Sequence, residues 1–363
     1  MNGSKLKICH VLHGIVGGGS EQVVLNYAEE LRDDFEFKVL YQYEPNAEIL
    51  SRFENLGINC IHIPDKVHHP LGHVVAMYKQ MKRGQYHAVH SHQDWFLNFY
   101  VMFLAWLAGI KIRVAHHHQA YHEKLPLKPL VWFLQGLNKI FATTYMACGE
   151  QAAISGWGKR CKNVVVLPNG INTERFKFNQ QNRDEIRTQY GIGDKFCVGH
   201  LGRFYPQKNH DFLLDVFAAF HKDHPDSVLL LVGDGPLKKQ MEEKASLLGI
   251  AENCIFAGLQ KEPEKFYSAM DAFCFPSLWE GVPLTLLEAQ YNGVPIVVSE
   301  NVTDEVKIDN RVNTASINNK NEWVSILLNI NGNERTNQIL SNPKKYDIRE
   351  TAKTLKDVYS KMK

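Results

Sequence analysis

The sequence reads as an α/β protein of two doubly wound domains. Three observations point there: a length of 363 residues, a strand-and-helix rhythm that runs twice along the chain, and a turn-rich break between the two runs. A chain this long exceeds what one ordinary domain core serves, so two domains are expected. The first run opens with "KICHVLH", the helix-like "EQVVLNYAEELRDD" and "FKVLYQY". It continues through "INCIHIP", "YHAVHSH", "KIRVAHHH", "TYMACG" and "NVVVLPNG", short apolar runs bounded by Gly, Pro or charge, giving about seven strands before residue 170.

The rhythm restarts at "FCVGHLGRF", "SVLLLVGDG", "CIFAGL", "AFCFPS" and "IVVSE", with helices expected at Asp211 to Lys222 and Pro236 to Leu248. Between the runs lies "LPNGINTERF", where Pro168 and the Asn169-Gly170 pair end a strand and break regular structure. This hinge divides the chain into domains 1–170 and 171–345. At the end, Ile348, Ala352, Leu355, Tyr359 and Met362 recur at helical spacing. That amphipathic helix, residues 346–363, needs a surface and is expected to pack back on the first domain. Open α/β domains present ligands at the carboxyl ends of their strands, so the two are expected to face each other across a deep cleft.

Composition narrows the partners. Lys and Arg number 41 against 39 for Asp and Glu, a formal charge of +2, so no polyanion field is expected and nucleic acid is not the default partner. The seven cysteines stand singly, without a C-x-x-C pair, which fits reduced thiols and a cytoplasmic location. The N-terminal "MNGSKLKICHVLHG" has no apolar secretion segment. The most apolar stretch, Trp95 to Ile110, is interrupted by Asn98 and is shorter than the roughly 18 to 20 residues a membrane span needs, so a buried helix is expected.

Several segments carry chemistry. "GIVGGGSEQVVL" follows the first strand and opens a helix, so Gly17, Gly18 and Gly19 can bring backbone N–H groups to an anion at a helix N-terminus. A tight strand-to-helix turn is the plainer meaning, and Gln22 stands where a dinucleotide fingerprint needs its third Gly. In "GRFYPQKN", Arg203 and Lys208 lie five residues apart on one loop and can clamp a diphosphate, or simply be solvated. "VGDGP" reads as a turn that launches a helix at Pro236.

"SLWEGVPLTLLEAQYNGVP" sets Glu280 in a loop and Glu288 one to two turns inside a helix whose first turn holds Pro283. Two carboxyls facing one bond would suit glycoside hydrolysis. A loop Glu and a helical Glu suit two contacts along one extended ligand instead. Histidines cluster at strand ends: His90 and His92, then His116, His117, His118 and His122. Such a His can serve as acid, base or hydrogen-bond donor. Metal ligation is the rival, although H-E-x-x-H and structural zinc spacings are absent.

With these segments in this order, nearly the whole chain resembles the retaining, nucleotide-sugar-dependent glycosyltransferases of family four, which have the GT-B fold. The features that carry the likeness are "GGGSEQVVLN", "LPNGINTERF", "GRFYPQKN", "LLVGDGP", "FYSAMDAFCFPSLWEGVPLTLLEAQYNGVPIVVS" and the closing helix. "LLEAQYNGVPIVVSENVTDEV" is similar to the bacterial branch that builds exopolysaccharide and capsule. The resemblance implies that the second domain binds the nucleotide sugar, with a UDP-sugar favoured. Arg203 and Lys208 would neutralise the donor diphosphate and Glu288 would take the ribose hydroxyls. Glu280, with Gly281, Val282, Pro283 and Leu284, would hold the transferred sugar and its phosphate, as the first Glu of the family's E-x7-E motif does. Gly18 and Gly19 would close over the diphosphate from the other domain.

The family's domain-one histidine matches His118, with His116 a nearby rival and His92 an acceptor-side candidate. Asn172 stands where Asp is frequent and Val282 where Phe or Leu is common. The resemblance implies no cofactor and no metal, because cations can stabilise the leaving diphosphate. A saccharide acceptor, lipid-linked in such bacterial enzymes, would be the partner. "EKLPLKPLVWFLQGLNKIF", Glu123 to Phe141, mixes Lys124, Lys128 and Lys139 with Leu, Trp and Phe, and either packs in the core or lies on the inner face of the cell membrane. The alternatives are a nucleotide-sugar epimerase of the same fold and an inactive subunit that binds a partner enzyme.

Overall fold

The structure, a computed structural model, describes residues 5–93, 97–118, 128–159, 161–309, 311–331, 340 and 342–361. Trp95, His122, Lys124 and Met362, named above, lie outside the described residues. The chain forms two compact units, one of residues 1–170 with 344–363 and one of residues 171–343.

The first unit holds a seven-stranded parallel sheet. Its strands are β1 (Leu6–Val11), β2 (Phe35–Tyr41), β3 (Asn59–His62), β4 (Ala88–Ser91), β5 (Ile112–His117), β6 (Thr144–Ala147) and β7 (Val164–Val166). The order β3-β2-β1-β4-β5-β6-β7 reverses direction between β1 and β4. At that point the loops leaving the two strands diverge to opposite sides and leave room for a ligand beyond the carboxyl ends. Cys9, Val11, Val89 and Ala115 from β1, β4 and β5 pack against Met77, Met81, Val101 and Met102 from the covering helices.

The helix Asn98–Leu107 buries Val101, Met102, Leu104 and Ala105, while Trp106 and Leu107 remain about half exposed. Among the described residues no helix is long and apolar enough to cross a membrane. The closing helix Ile348–Ser360 packs on the helix Gly19–Leu31. Its Ile348, Ala352, Leu355 and Tyr359 are buried, and the Tyr359 carbonyl accepts from His87 Nε2 at 3.1 Å.

The second unit holds β8 (Phe196–Leu201), β9 (Ser227–Val232), β10 (Cys254–Gly258), β11 (Ala272–Phe275), β12 (Ile296–Ser299) and β13 (Val312–Ala315). The order is β10-β9-β8-β11-β12-β13, all parallel, with its reversal between β8 and β11. The sequence reading finds five of these strands and misses β13. In this edge strand, "VNTA", Asn313 and Thr314 are exposed and only Ala315 is buried, so its pattern is not that of a buried run. Pro236 does not open a helix: it sits in a turn, and the helix runs Lys238–Leu247.

Candidate active site

In the second unit the candidate residues gather at the carboxyl ends of β8 and β11, where the strand order reverses. The loop after β8 is shaped by the loop after β9. Gly202 N–H donates to Val232 O at 3.0 Å, Phe204 N–H to Asp234 O at 3.0 Å, and Leu237 N–H to Phe204 O at 3.1 Å. This contact requires glycine: a Cβ on Gly233, at φ +140°, would sit 2.1 Å from Gly202 O. "VGDGP" therefore serves mainly to press one backbone against another and hold Arg203 and Lys208 in place.

The loop after β8 is also tied to the loop after β11. Leu278 N–H donates to Gln207 O at 2.8 Å, and Gln207 Nε2 donates to Trp279 O at 2.7 Å. Lys208 Nζ donates to Glu280 Oε1 at 2.6 Å and stands 4.8 Å from the Phe275 ring centre. Both side chains of this pair are largely buried. Burial strengthens the attraction relative to a surface pair. Arg203 is exposed, with its guanidinium 5.4 Å from the Tyr205 ring centre.

Glu280 lies in the loop, and the helix that follows runs Leu284–Asn292. Pro283 is its N-cap rather than a member of its first turn. Gly281 is half-buried, and Val282, Pro283 and Leu284 are buried. Glu288 is one turn into the helix, buried, and its Oε2 accepts from Tyr267 Oη at 2.7 Å. Burial, with the Glu288 carboxylate beside it, pushes the Tyr267 phenol well above its ordinary range and keeps it a donor. The two carboxylates thus have separate partners, Lys208 for Glu280 and Tyr267 for Glu288.

Two histidines behind this loop escaped the sequence reading. His200 Nδ1 donates to Cys274 O at 2.8 Å, and its ring lies edge-on to His210 at 4.8 Å. Burial lowers His200 to about 4 and His210 to about 2, so both are neutral.

In the first unit the glycine loop precedes the helix Gly19–Leu31, with Gly18 as its N-cap and Gly17 at φ +87°. Glu21, unnoticed in sequence, is buried in the first turn, and its Oε1 accepts from Val16 N–H at 3.2 Å. A Cβ on Gly18 would meet Glu21 Oε2 at 2.6 Å, whereas one on Gly19 would meet nothing within 4 Å.

The histidines meet because the strands are in register. His10 of β1 is the Cα partner of His90 in β4, and β5 continues the row. Side chains two residues apart share a face, so His90, His92, His116 and His118 gather with His10. His92 Nδ1 lies 2.8 Å from His118 Nε2, and His92 Nε2 lies 2.9 Å from His10 Nδ1. His90 Nε2 lies 3.1 Å from His116 Nδ1, and His90 Nδ1 lies 2.6 Å from the Tyr359 hydroxyl. His10 was missed, although it is the only histidine inside β1. Burial holds His10 at about 3 and His118 at about 4, and it lowers His90, His92 and His116 well below the ordinary value. Nitrogens of His92, His116 and His118 fall within 4.8 Å of one another. A metal there would have to break the imidazole pairs and draw its ligands in to about 2.0 Å. His117 faces the other way and packs on Trp157.

Comparison with known proteins agrees with this architecture. The model of "Glycosyltransferase Family 4" matches residues 17–175, and that of "Glycosyl transferases group 1" matches residues 182–347. A relative in Bacillus subtilis (strain 168), with the name "Putative glycosyltransferase EpsF", is 35% identical over 84% of this chain and 82% of its own. A UDP-Gal:alpha-D-GlcNAc-diphosphoundecaprenol alpha-1,3-galactosyltransferase of Escherichia coli is 24% identical over 99% of this chain and 98% of its own. The crystal structure of Anabaena Alr3699/HepE in complex with UDP-glucose superposes with a TM-score of 0.83. It is 19% identical, over 98% of this chain and 100% of that one. Two parallel Rossmann-like sheets of this order form the GT-B fold, and the two family models make the chain a glycosyltransferase. Within that class, the chain belongs to glycosyltransferase family four.

Proposed function

We propose that this enzyme moves a sugar from a UDP-sugar to a lipid-linked saccharide, with retention at the anomeric carbon, in the synthesis of a bacterial surface polysaccharide. The observation that carries this reading is the Lys208–Glu280 pair at the reversal of the second sheet. It sets a cation and a carboxylate side by side, where a sugar diphosphate needs both. Arg203 and Lys208 stabilise the charge that builds on the leaving diphosphate, and a preorganised cation acts on charge as it develops. Lys208 has three N–H donors; Glu280 takes one, leaving the others for phosphate oxygens.

Glu280, with the backbone of Gly281, Val282, Pro283 and Leu284, takes the sugar and its phosphate. Glu288, steadied by Tyr267, takes the ribose hydroxyls. Gly18 and Gly19 supply amides to phosphate. His118 contacts the substrate on the first unit's side, with His116 beside it and His92 hydrogen-bonded behind it. With two cations on the diphosphate, the reaction is read as metal-independent. The preference for UDP and for a lipid-linked acceptor rests on the donor and acceptor in the Escherichia coli relative's name. A surface polysaccharide as product fits a further relative, the capsular polysaccharide biosynthesis glycosyltransferase CapH of Staphylococcus aureus, 22% identical over 98% of each chain. The retaining outcome rests on the family resemblance.

Peripheral attachment to the inner membrane face is part of the proposal. In the helix Lys128–Phe141, Phe133 and Ile140 are exposed, while Lys139 Nζ donates to Trp157 O at 3.0 Å. Flotation with anionic vesicles at low salt tests it, and failure to float removes it. The reaction is tested by incubating UDP-, GDP- and ADP-sugars with lipid-linked saccharides, with and without EDTA, and reading products by NMR. An α-linked product from an α-linked UDP-sugar, unchanged by EDTA, is expected. Donor converted to its epimer without transfer would replace this reading.

A further inference from the structure

The buried histidines of the first unit form two hydrogen-bonded chains. One runs His10–His92–His118, and the other Tyr359–His90–His116. A neutral imidazole has one N–H and one lone pair, so fixing the proton at one end of such a chain fixes every tautomer along it. Burial keeps these rings neutral at pH 7. The question is then which way each chain points.

In the second chain the answer comes from Tyr359. Its hydroxyl is fully buried, and a buried phenol needs an acceptor for its proton. His90 Nδ1, at 2.6 Å, is that acceptor. His90 is then protonated at Nε2 and donates to His116 Nδ1, and His116 carries its proton on Nε2. That Nε2 is buried and has no partner among the described residues.

In the first chain the answer comes from the two ends. His10 Nε2 and His118 Nδ1 are both buried without a partner among the described residues. His10 is 1% exposed beside Phe37, while His118 is only partly buried at the end of β5. An orphaned buried N–H is rarer than an under-satisfied acceptor. The bare lone pair therefore belongs at His10 Nε2, deep in the fold. His10 Nδ1–H then donates to His92 Nε2, His92 Nδ1–H donates to His118 Nε2, and His118 presents its proton on Nδ1.

We propose that the two chains hold His118, through Nδ1–H, and His116, through Nε2–H, as neighbouring neutral donors that receive a hydroxyl oxygen of the saccharide substrate. Their rings stand 4.1 Å apart. Tyr359, His90, His10 and His92 are positioning residues: they fix which nitrogen carries the proton. His118 is thereby a hydrogen-bond donor and not a general base. Only the identity of the ligand rests on the function proposed above.

The test is long-range proton–nitrogen NMR of the full chain carrying 15N-histidine at pH 7, with His118 assigned by His118→Gln. The expected result is protonated Nδ1 and bare Nε2 at His118, and the opposite at His116. Bare Nδ1 at His118 overturns the proposal. A second measurement uses His92→Leu, which cuts the first chain, and His92→Gln, whose amide can donate to His118 and accept from His10. Losing one oriented hydrogen bond should lower kcat roughly tenfold in His92→Leu, with His118 appearing as a mixture of tautomers, and His92→Gln should recover most of both. Equal losses in the two variants with an unchanged His118 tautomer would reduce the array to packing and overturn the proposal. Tautomers as stated in a chain that transfers no sugar would support the array and refute the function.

Discussion

Lys208 Nζ lies 2.6 Å from Glu280 Oε1, joining residues 72 apart in sequence across the reversal of the second sheet. This pair ties together two of the loops that the family resemblance assigns to the donor. Removing one partner leaves the other charge buried and alone, so its loss costs more than a surface ion pair would.

The first prediction follows from the leaving group. Arg203→Ala or Lys208→Ala should each cost about 3 kcal/mol of transition-state stabilisation, the typical loss for one such donor. Steady-state kcat/KM with a UDP-sugar checks it. Wild-type turnover by the double variant would remove both residues from the site.

A second prediction concerns the glycine contact. Gly233→Ala places a Cβ 2.1 Å from Gly202 O at a φ of +140°. Forcing that conformation costs on the order of 1–3 kcal/mol before the clash is counted. Thermal denaturation should show the loss, and nucleotide affinity should fall with it because the loop carrying Arg203 and Lys208 must shift. Gly136→Ala, where an added Cβ meets nothing within 4 Å and φ is not positive, serves as the control.

The third prediction is a pH dependence of stability. His10 and His117 at about 3 and His200 at about 4 lie below the ordinary 6.5. Between those values the unfolded chain binds more protons than the folded one. Stability is therefore fully present above about 6.5 and is lost as pH falls toward 4, by up to about 1.4 kcal/mol per histidine per pH unit. Urea midpoints at pH 7.5, 6 and 5 should fall in that order. A midpoint flat from 7.5 to 5 would mean that these rings are not held neutral.

Much of this was legible in the sequence where burial writes a pattern. "SVLLLV" is buried at every position, because a central parallel strand is covered on both faces. The edge strand β13 has no such run to show. The loop residues were legible through turn chemistry and family likeness. Their partners were not: Tyr267 comes from a helix 21 residues before Glu288, and no local spacing links the two. His10 could have been found by placing β1 beside β4, the usual order of a doubly wound sheet, and counting residues two apart. The tautomers depend on hydrogen bonds among four elements, which no linear pattern records.

The most direct test of the central claim, that Glu280 and Glu288 grip different parts of one donor, is calorimetric titration of UDP into Glu280→Gln and Glu288→Gln, with transfer rates measured on the same samples. Glu288→Gln should weaken UDP roughly tenfold or more, as expected for a lost charged hydrogen bond. Glu280→Gln should bind UDP nearly as wild type while losing most of its transfer. Equal losses of UDP affinity in the two variants would contradict it.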